Sequence, residues 1–145
     1  MKEQCYHLGV KGLICDDAGK ILLLKINSAG LVNFKGEPYW DLPGGRVQEG
    51  ESIASTLARE IEEETGYTIN PQSELFLMTI SNIRIPLSTG GEVGLILAAY
   101  LCRVNNGKLR LSDEHLEARW FEPLEASQLL QVKYAPEFTS RVATL

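Results

Sequence analysis

The sequence predicts a single α/β domain built on a mixed β-sheet. Three observations carry that prediction. Residues 8–15 (LGVKGLIC) and 20–26 (KILLLKI) are short apolar runs, residues 52–65 repeat apolar side chains at helical spacing, and residues 93–104 form a long apolar run. Strands interspersed with helices in this order define the α/β class. The chain has 145 residues, the size of one compact domain, and is read as one domain over 1–145.

The first two runs flank Asp16-Asp17-Ala18-Gly19, turn chemistry that predicts a hairpin. Residues 27–39 form a polar, Gly-containing loop of a length often tied to function. Trp40 to Pro43 reads as a brief strand, and Gly44-Gly45 opens a tight loop whose backbone is free to approach a ligand. The helix over Ser52–Thr65 ends at Gly66, with Pro71 beyond it. Leu75–Ile85 and Val93–Val104 read as two long strands, the second apolar enough to be covered on both faces. Ala118–Phe121 is a last short strand, and Leu124–Val132 and Pro136–Val142 are terminal helices.

Composition narrows the functional classes. Hydrophobic residues make up 44% and the net charge is −5, so disorder is excluded as the main state. The longest apolar run, Val93 to Cys102, contains Gly94 and falls short of the roughly 20 residues that cross a membrane. Met1-Lys2-Glu3-Gln4 lacks a signal-peptide core, and the three widely spaced cysteines suit a reducing environment. A cytoplasmic location is therefore expected. With a pI near 5.1 the chain has no global field for stable nucleic-acid binding, so an anionic ligand must be held locally.

The helix concentrates the chemistry. At 100° per residue its apolar positions Ile53, Ala54, Leu57, Ala58 and Ile61 share one arc. Glu60, Glu63 and Glu64 converge along one margin of that arc, where like charges repel. On the helix alone, a solvated acidic face tempered by Arg59 competes with a site for hard divalent cations. A strand and Gly-Gly turn leading into this helix favour a metal–phosphate site.

Residues 45–67, GRVQEGESIASTLAREIEEETGY, resemble the signature box of the Nudix hydrolases. That box reads Gly, five residues, Glu, seven residues, then Arg-Glu-aliphatic-x-Glu-Glu-x-Gly-aliphatic. Gly45, Glu51, Arg59, Glu60, Ile61, Glu63, Glu64 and Gly66 fill it, and Tyr67 replaces the final aliphatic. The preceding Trp40-x-x-Pro43-Gly44-Gly45 is similar to the family as well.

The resemblance implies an α/β/α sandwich and hydrolysis of a diphosphate bond in a nucleoside diphosphate linked to another moiety. It implies that Glu60, Glu63 and Glu64, joined by the Gly45 carbonyl, bind Mg²⁺, with Mn²⁺ as the alternative ion. Such a metal neutralises phosphate charge and activates water for in-line attack. Arg59 would orient the box carboxylates, and Glu51 would fix the loop or reach a water at the metal. Glu63 and Glu114 are both candidates for the general base. Around Glu114, the stretch Ser112–Glu117 also reads as a solvated polar turn, the preferred reading for both Glu114 and His115. Arg46, Tyr39 and Lys35 are candidates to hold the phosphates or stack on a base.

Downstream of the box, Ile83 stands where ADP-ribose hydrolases of the family carry Pro, and no Tyr lies between Tyr67 and Tyr100. No coenzyme A box precedes the motif. The resemblance therefore leans toward a nucleoside triphosphate pyrophosphohydrolase. An ADP-ribose or nucleotide-sugar pyrophosphatase is the alternative, and a nucleotide-sensing domain without catalysis is the reading from a different class. The expected partner is a small nucleotide, with self-association left open. A purely structural role would leave Glu60 and Glu64 at a buried edge without compensation.

Overall fold

The computed structural model describes residues 2–26, 37–70 and 73–145. Its central strand, β1 (Tyr6–Ile14), runs parallel to β8 (Glu92–Cys102) and antiparallel to β4 (Gly44–Arg46). β6 (Glu74–Ile80) and the short β7 (Ile85–Pro86) both pair antiparallel with β8, which makes the sheet mixed, as its sequence predicts. A second sheet has the order β10 (His115–Phe121), β2 (Ile21–Ile26), β3 (Trp40–Asp41). A third pair joins β5 (Tyr67–Ile69) to β9 (Val104–Gly107).

Alternation along β1 and β2 divides the core in two. Leu13, Ile21 and Leu23 face one cluster, closed by Ala126, Phe138 and Val142. These come from α2 (Pro123–Leu129) and α3 (Pro136–Val142). Val10, Ile14, Leu22 and Leu24 face the other, closed by Leu57 and Ile61 of α1 (Ile53–Thr65). Strand residues point to opposite faces with period two, so helices on both sides give the α/β/α sandwich. Tyr134 stacks on Phe138 with ring centroids 4.7 Å apart, which anchors the C-terminal helices.

Several boundaries differ from the sequence prediction. β1 and β2 do not form the predicted hairpin: they lie in different sheets, and their pairing is confined to the isolated Cys15–Ile21 bridge. Each has better partners, because the long apolar β8 offers β1 nine parallel positions. The predicted strand over Leu75–Ile85 breaks after Ile80. There Ser81 Oγ donates to the Lys133 carbonyl at 2.8 Å, and Asn82 Nδ2 donates to the Gln131 carbonyl at 3.0 Å. Val104 belongs to β9 and not to β8, and the last turn beyond α2, Leu130–Val132, is 3-10. Gly44-Gly45 is strand rather than loop, paired with Lys11 and Val10 of β1. Among the described residues no helix is long and apolar enough to cross a membrane.

Candidate active site

Helix α1 is fixed at both ends. Ser52 Oγ accepts from the Ser55 N–H at 3.1 Å in a reciprocal capping box, and Gly66 closes the C-terminus with φ 79°. Four residues of the apolar arc behave differently from one another: Leu57 and Ile61 are buried, while Ile53 and Ala58 are exposed. Glu64 lies within the buried stretch of the same helix, only 5% exposed.

β4 crosses the helix margin at its acidic residues. Gly44 has φ 148°, and a Cβ there would stand 2.0 Å from the Val10 carbonyl oxygen, so only glycine fits. Its N–H donates to Glu64 Oε1 at 3.0 Å. A Cβ on Gly45 would meet the Glu60 carboxyl carbon at 2.4 Å, so the bare backbone is what admits this carboxylate.

Arg59 organises the remaining carboxylates. Its Nε and Nη2 donate to the two oxygens of Glu51 at 2.8 and 3.0 Å, a bidentate pair. Nη1 donates to Glu60 at 2.9 Å and to Glu63 at 3.2 Å. The Arg59 hydrogen bonds lower the Glu51 pKa. Glu60 moves the other way, because burial and the neighbouring Glu64 charge outweigh Arg59 and raise its pKa.

Across the cleft, His115 Nε2 lies 3.0 Å from Glu64 Oε2, and Ser112 Oγ lies 3.2 Å from His115 Nδ1. The His115 side chain is 5% exposed, so it is not part of a solvated turn. Its ring is covered because β10 starts at this residue and carries it into the sheet. Glu60 and Glu64 are both compensated within the chain: Arg59 serves one, as expected of it, and Gly44 with His115 serves the other.

A cavity of about 610 Å³ opens between these elements, and five carboxylates (Glu60, Glu63, Glu64, Asp113, Glu114) share its lining with Arg46 and Arg59. Glu114 is exposed on its rim. A second cavity of about 250 Å³ adjoins it, sharing Gly44, Gly45, Arg46, Glu64 and Glu114. Tyr39 lines this second cavity and is buried, and desolvation followed by the Asp41 charge pushes its phenol up to about 12. Arg46 Nη1 is 3.2 Å from His7 Nδ1 at the mouth. Lys35 lies outside the described residues.

The second cavity also holds a buried ionic cluster that the sequence does not predict. Asp41 is 1% exposed, and its Oδ2 accepts from Lys11 Nζ at 3.1 Å and from Lys133 Nζ at 2.6 Å. Its Oδ1 accepts from Tyr134 Oη at 2.6 Å and from the Leu42 N–H at 2.7 Å. Burial alone would raise the Asp41 pKa, but the two ammonium groups outweigh it and hold the carboxyl well below the usual range. A lone lysine inside the apolar run LGVKGLIC was the available signal.

The donor set fits a hard divalent cation: carboxylate oxygens beside a backbone bare enough to offer the Gly45 carbonyl. Among the described residues no three acidic, His or Cys groups already converge at ligand spacing, and Arg59 spans Glu60 and Glu63.

Comparison with known proteins bears on the family and the fold. The family model described as NUDIX domain matches residues 6–142. The mouse protein "Nucleoside diphosphate-linked moiety X motif 6" is 29% identical over 97% of this chain and 41% of its own length. An 8-oxo-dGDP phosphatase of Danio rerio is 28% identical over 90% of this chain and 38% of its own length. The chain thus spans about two fifths of these curated relatives. The crystal structure of a MutT protein from Methanosarcina mazei Go1 superposes with a TM-score of 0.68 at 28% identity, covering 99% of this chain and 95% of that one.

Proposed function

The chain belongs to the Nudix family, and from that premise we propose that it hydrolyses a phosphoric anhydride bond in a small nucleotide, with a divalent cation held at the α1 carboxylates. The observation that carries this reading is the charge of the larger cavity. Five carboxylates against two guanidiniums would repel a polyphosphate, and a divalent cation between them would offset most of that excess charge.

Glu60, Glu63 and Glu64, with the Gly45 carbonyl, would hold Mg²⁺ or Mn²⁺. Bound there, the cation would neutralise phosphate charge and make water a better nucleophile. Arg59 and Glu51 act through other residues: their paired charges set the orientation of Glu60 and Glu63. Glu64 is aimed by the Gly44 N–H and by His115. Glu114, exposed on the cavity rim, and Glu63, 59% exposed and hydrogen-bonded to Arg59, are the two candidates to accept a proton from the attacking water. Arg46, which lines both cavities, is placed to meet the phosphates at their junction.

Nucleoside triphosphates are the proposed substrate class, in keeping with a Bacillus subtilis relative named putative 8-oxo-dGTP diphosphatase. A reducing cytoplasm as the setting accords with Cys5, Cys15 and Cys102 all being unpaired thiols. The test is phosphate or pyrophosphate release from nucleoside triphosphates, oxidised triphosphates, ADP-ribose, nucleotide sugars and dinucleoside polyphosphates, with and without Mg²⁺. Metal-dependent turnover of triphosphates supports the proposal. Turnover confined to ADP-ribose or nucleotide sugars would replace the substrate class. Nucleotide binding without turnover would make the domain a sensor.

A further inference from the structure

β6 is the outer strand of its sheet, at the far end of the order β4-β1-β8-β6. Ser81 N–H donates to the Leu95 carbonyl at 2.8 Å, and Ile80 and Met78 stand opposite Ile96 and Ala98. In an antiparallel ladder, residues that bond across the pair alternate with residues whose N–H and C=O point the other way. Ser81, Thr79 and Leu77 therefore serve β8, while Ile80 and Met78 turn their backbone groups outward. Among the described residues, Met78 has no hydrogen bond on that side, and Ile80 has only a 3.4 Å contact from Thr79 Oγ1 to its carbonyl. Two residues on, the same edge is closed, because Asn82 N–H donates to the Lys133 carbonyl at 2.9 Å.

The side chains of the strand divide between its two faces. Phe76 and Leu77 pack against the core cluster that holds Phe138, and Thr79 Oγ1 donates to Glu137 at 3.2 Å. Leu75, Met78 and Ile80 are each about half exposed and belong to neither core cluster. Their row continues into an apolar groove of about 350 Å³ between α1 and β8, lined by Ile53, Ala58 and by Tyr100, the register partner of Leu75. Sheet edges are normally blunted by lysine, proline or a bulge. Residues 75–80 contain no charge and no proline, and the bulge between Leu75 and Leu77 leaves Met78 and Ile80 in regular register.

A second copy of the same strand fits these groups. Antiparallel pairing about a two-fold axis at Met78 sets each outward Met78 N–H on the carbonyl of its counterpart, and each carbonyl accepts in return. The half-exposed apolar rows of the two copies then lie side by side on one face. Glu74, the only charge in β6, is at one end of the strand, so antiparallel copies hold their Glu74 residues apart. Each chain carries a net charge of −5, and this uncharged stretch lets two copies meet without setting acid on acid. We infer that the β6 edge is a homodimer interface, which joins two copies into one continuous sheet through Met78 and Ile80. β4 lies at the opposite edge of the sheet, so association leaves the carboxylate cavity open.

The test is sedimentation of the full chain between about 5 and about 500 µM, a range that brackets weak interfaces, beside site-resolved amide exchange. Wild type should be dimeric at the upper end, and exchange at the Met78 and Ile80 amides should slow at least tenfold from the lowest concentration to the highest. Met78→Lys, which places a charge on the edge, should weaken the dimer at least tenfold. Leu116→Lys, the same charge on the exposed face of β10, should leave the dimer as it is. A wild type that stays monomeric throughout overturns the inference. A dimer whose Met78 and Ile80 amides exchange at a rate independent of concentration also overturns it, because the interface then lies elsewhere. Equal weakening by both lysine variants does so too, since it would make the effect one of overall charge. Should Met78→Lys not fold, Ile80→Lys and the wild-type exchange pattern decide.

Discussion

Glu64 and His115 are joined across the floor of the cleft, Oε2 to Nε2 at 3.0 Å, with both side chains almost fully covered. One lies on the last turn of α1 and the other at the start of β10, so the contact ties the acidic helix to the second sheet. The second oxygen of Glu64 accepts from Gly44. A carboxylate held on both oxygens has little rotational freedom left, which is what a positioned ligand needs.

Replacing His115 should therefore act on both stability and the site. His115→Ala leaves a buried carboxylate oxygen short of a partner, at a cost of about 1–3 kcal/mol. Urea denaturation measures that cost. In the folded fraction, Mg²⁺ dependence of turnover should shift to higher concentration. An unchanged metal dependence would make the contact purely structural.

Glu63 and Glu64 should separate under the same conservative change. Glu63 is 59% exposed on its side chain, so Glu63→Gln should leave stability within about 0.5 kcal/mol while removing most activity. Glu64 is 7% exposed on its side chain, and Glu64→Gln should remove activity and also cost about 1–2 kcal/mol. Steady-state kinetics beside thermal melting distinguishes the two.

Gly44 and Gly45 offer a sharper contrast. Gly44→Ala puts a methyl against the rigid Val10 carbonyl and should unfold or strongly destabilise the domain. Gly45→Ala meets first the movable end of Glu60, so the protein should fold and melt near the wild-type temperature. Its activity should nonetheless fall at least tenfold, because the displaced carboxylate is one of the proposed metal ligands.

Asp41 makes stability depend on pH. Its folded pKa is depressed, so its contribution is complete above its unfolded value of about 4 and is lost as pH falls through the lower folded value. Asp41→Asn should cost about 3–5 kcal/mol at pH 7, since it leaves two buried ammoniums unpaired. The gap between wild type and variant should narrow below pH 4. Urea midpoints across that range check it, and a gap constant down to pH 2 would show that folding does not depress the Asp41 pKa.

What the sequence made legible follows from how local each signal is. Helix α1 was readable to its caps, because Ser52, the apolar spacing and Gly66 all lie within one stretch. The acidic margin and Arg59 were readable for the same reason. Strand pairing was not, since the choice of β1 for β8 over β2 depends on residues more than eighty positions apart. His115 was misread as solvated because its cover comes from α1, distant in sequence. The Asp41 cluster draws on β1, β3 and the turn after α2, and no local pattern announces it. Only Lys11, a charge in an apolar run, hinted that a partner lay elsewhere.

The central claim is that the α1 carboxylates hold the cation on which hydrolysis depends. Its most direct test is Mn²⁺ binding by electron paramagnetic resonance, measured beside triphosphate turnover in wild type and Glu60→Gln/Glu64→Gln. Wild type should bind Mn²⁺ and turn over, and the double variant should lose both while remaining folded. Undiminished turnover by the double variant, or by wild type in excess EDTA, would contradict the account.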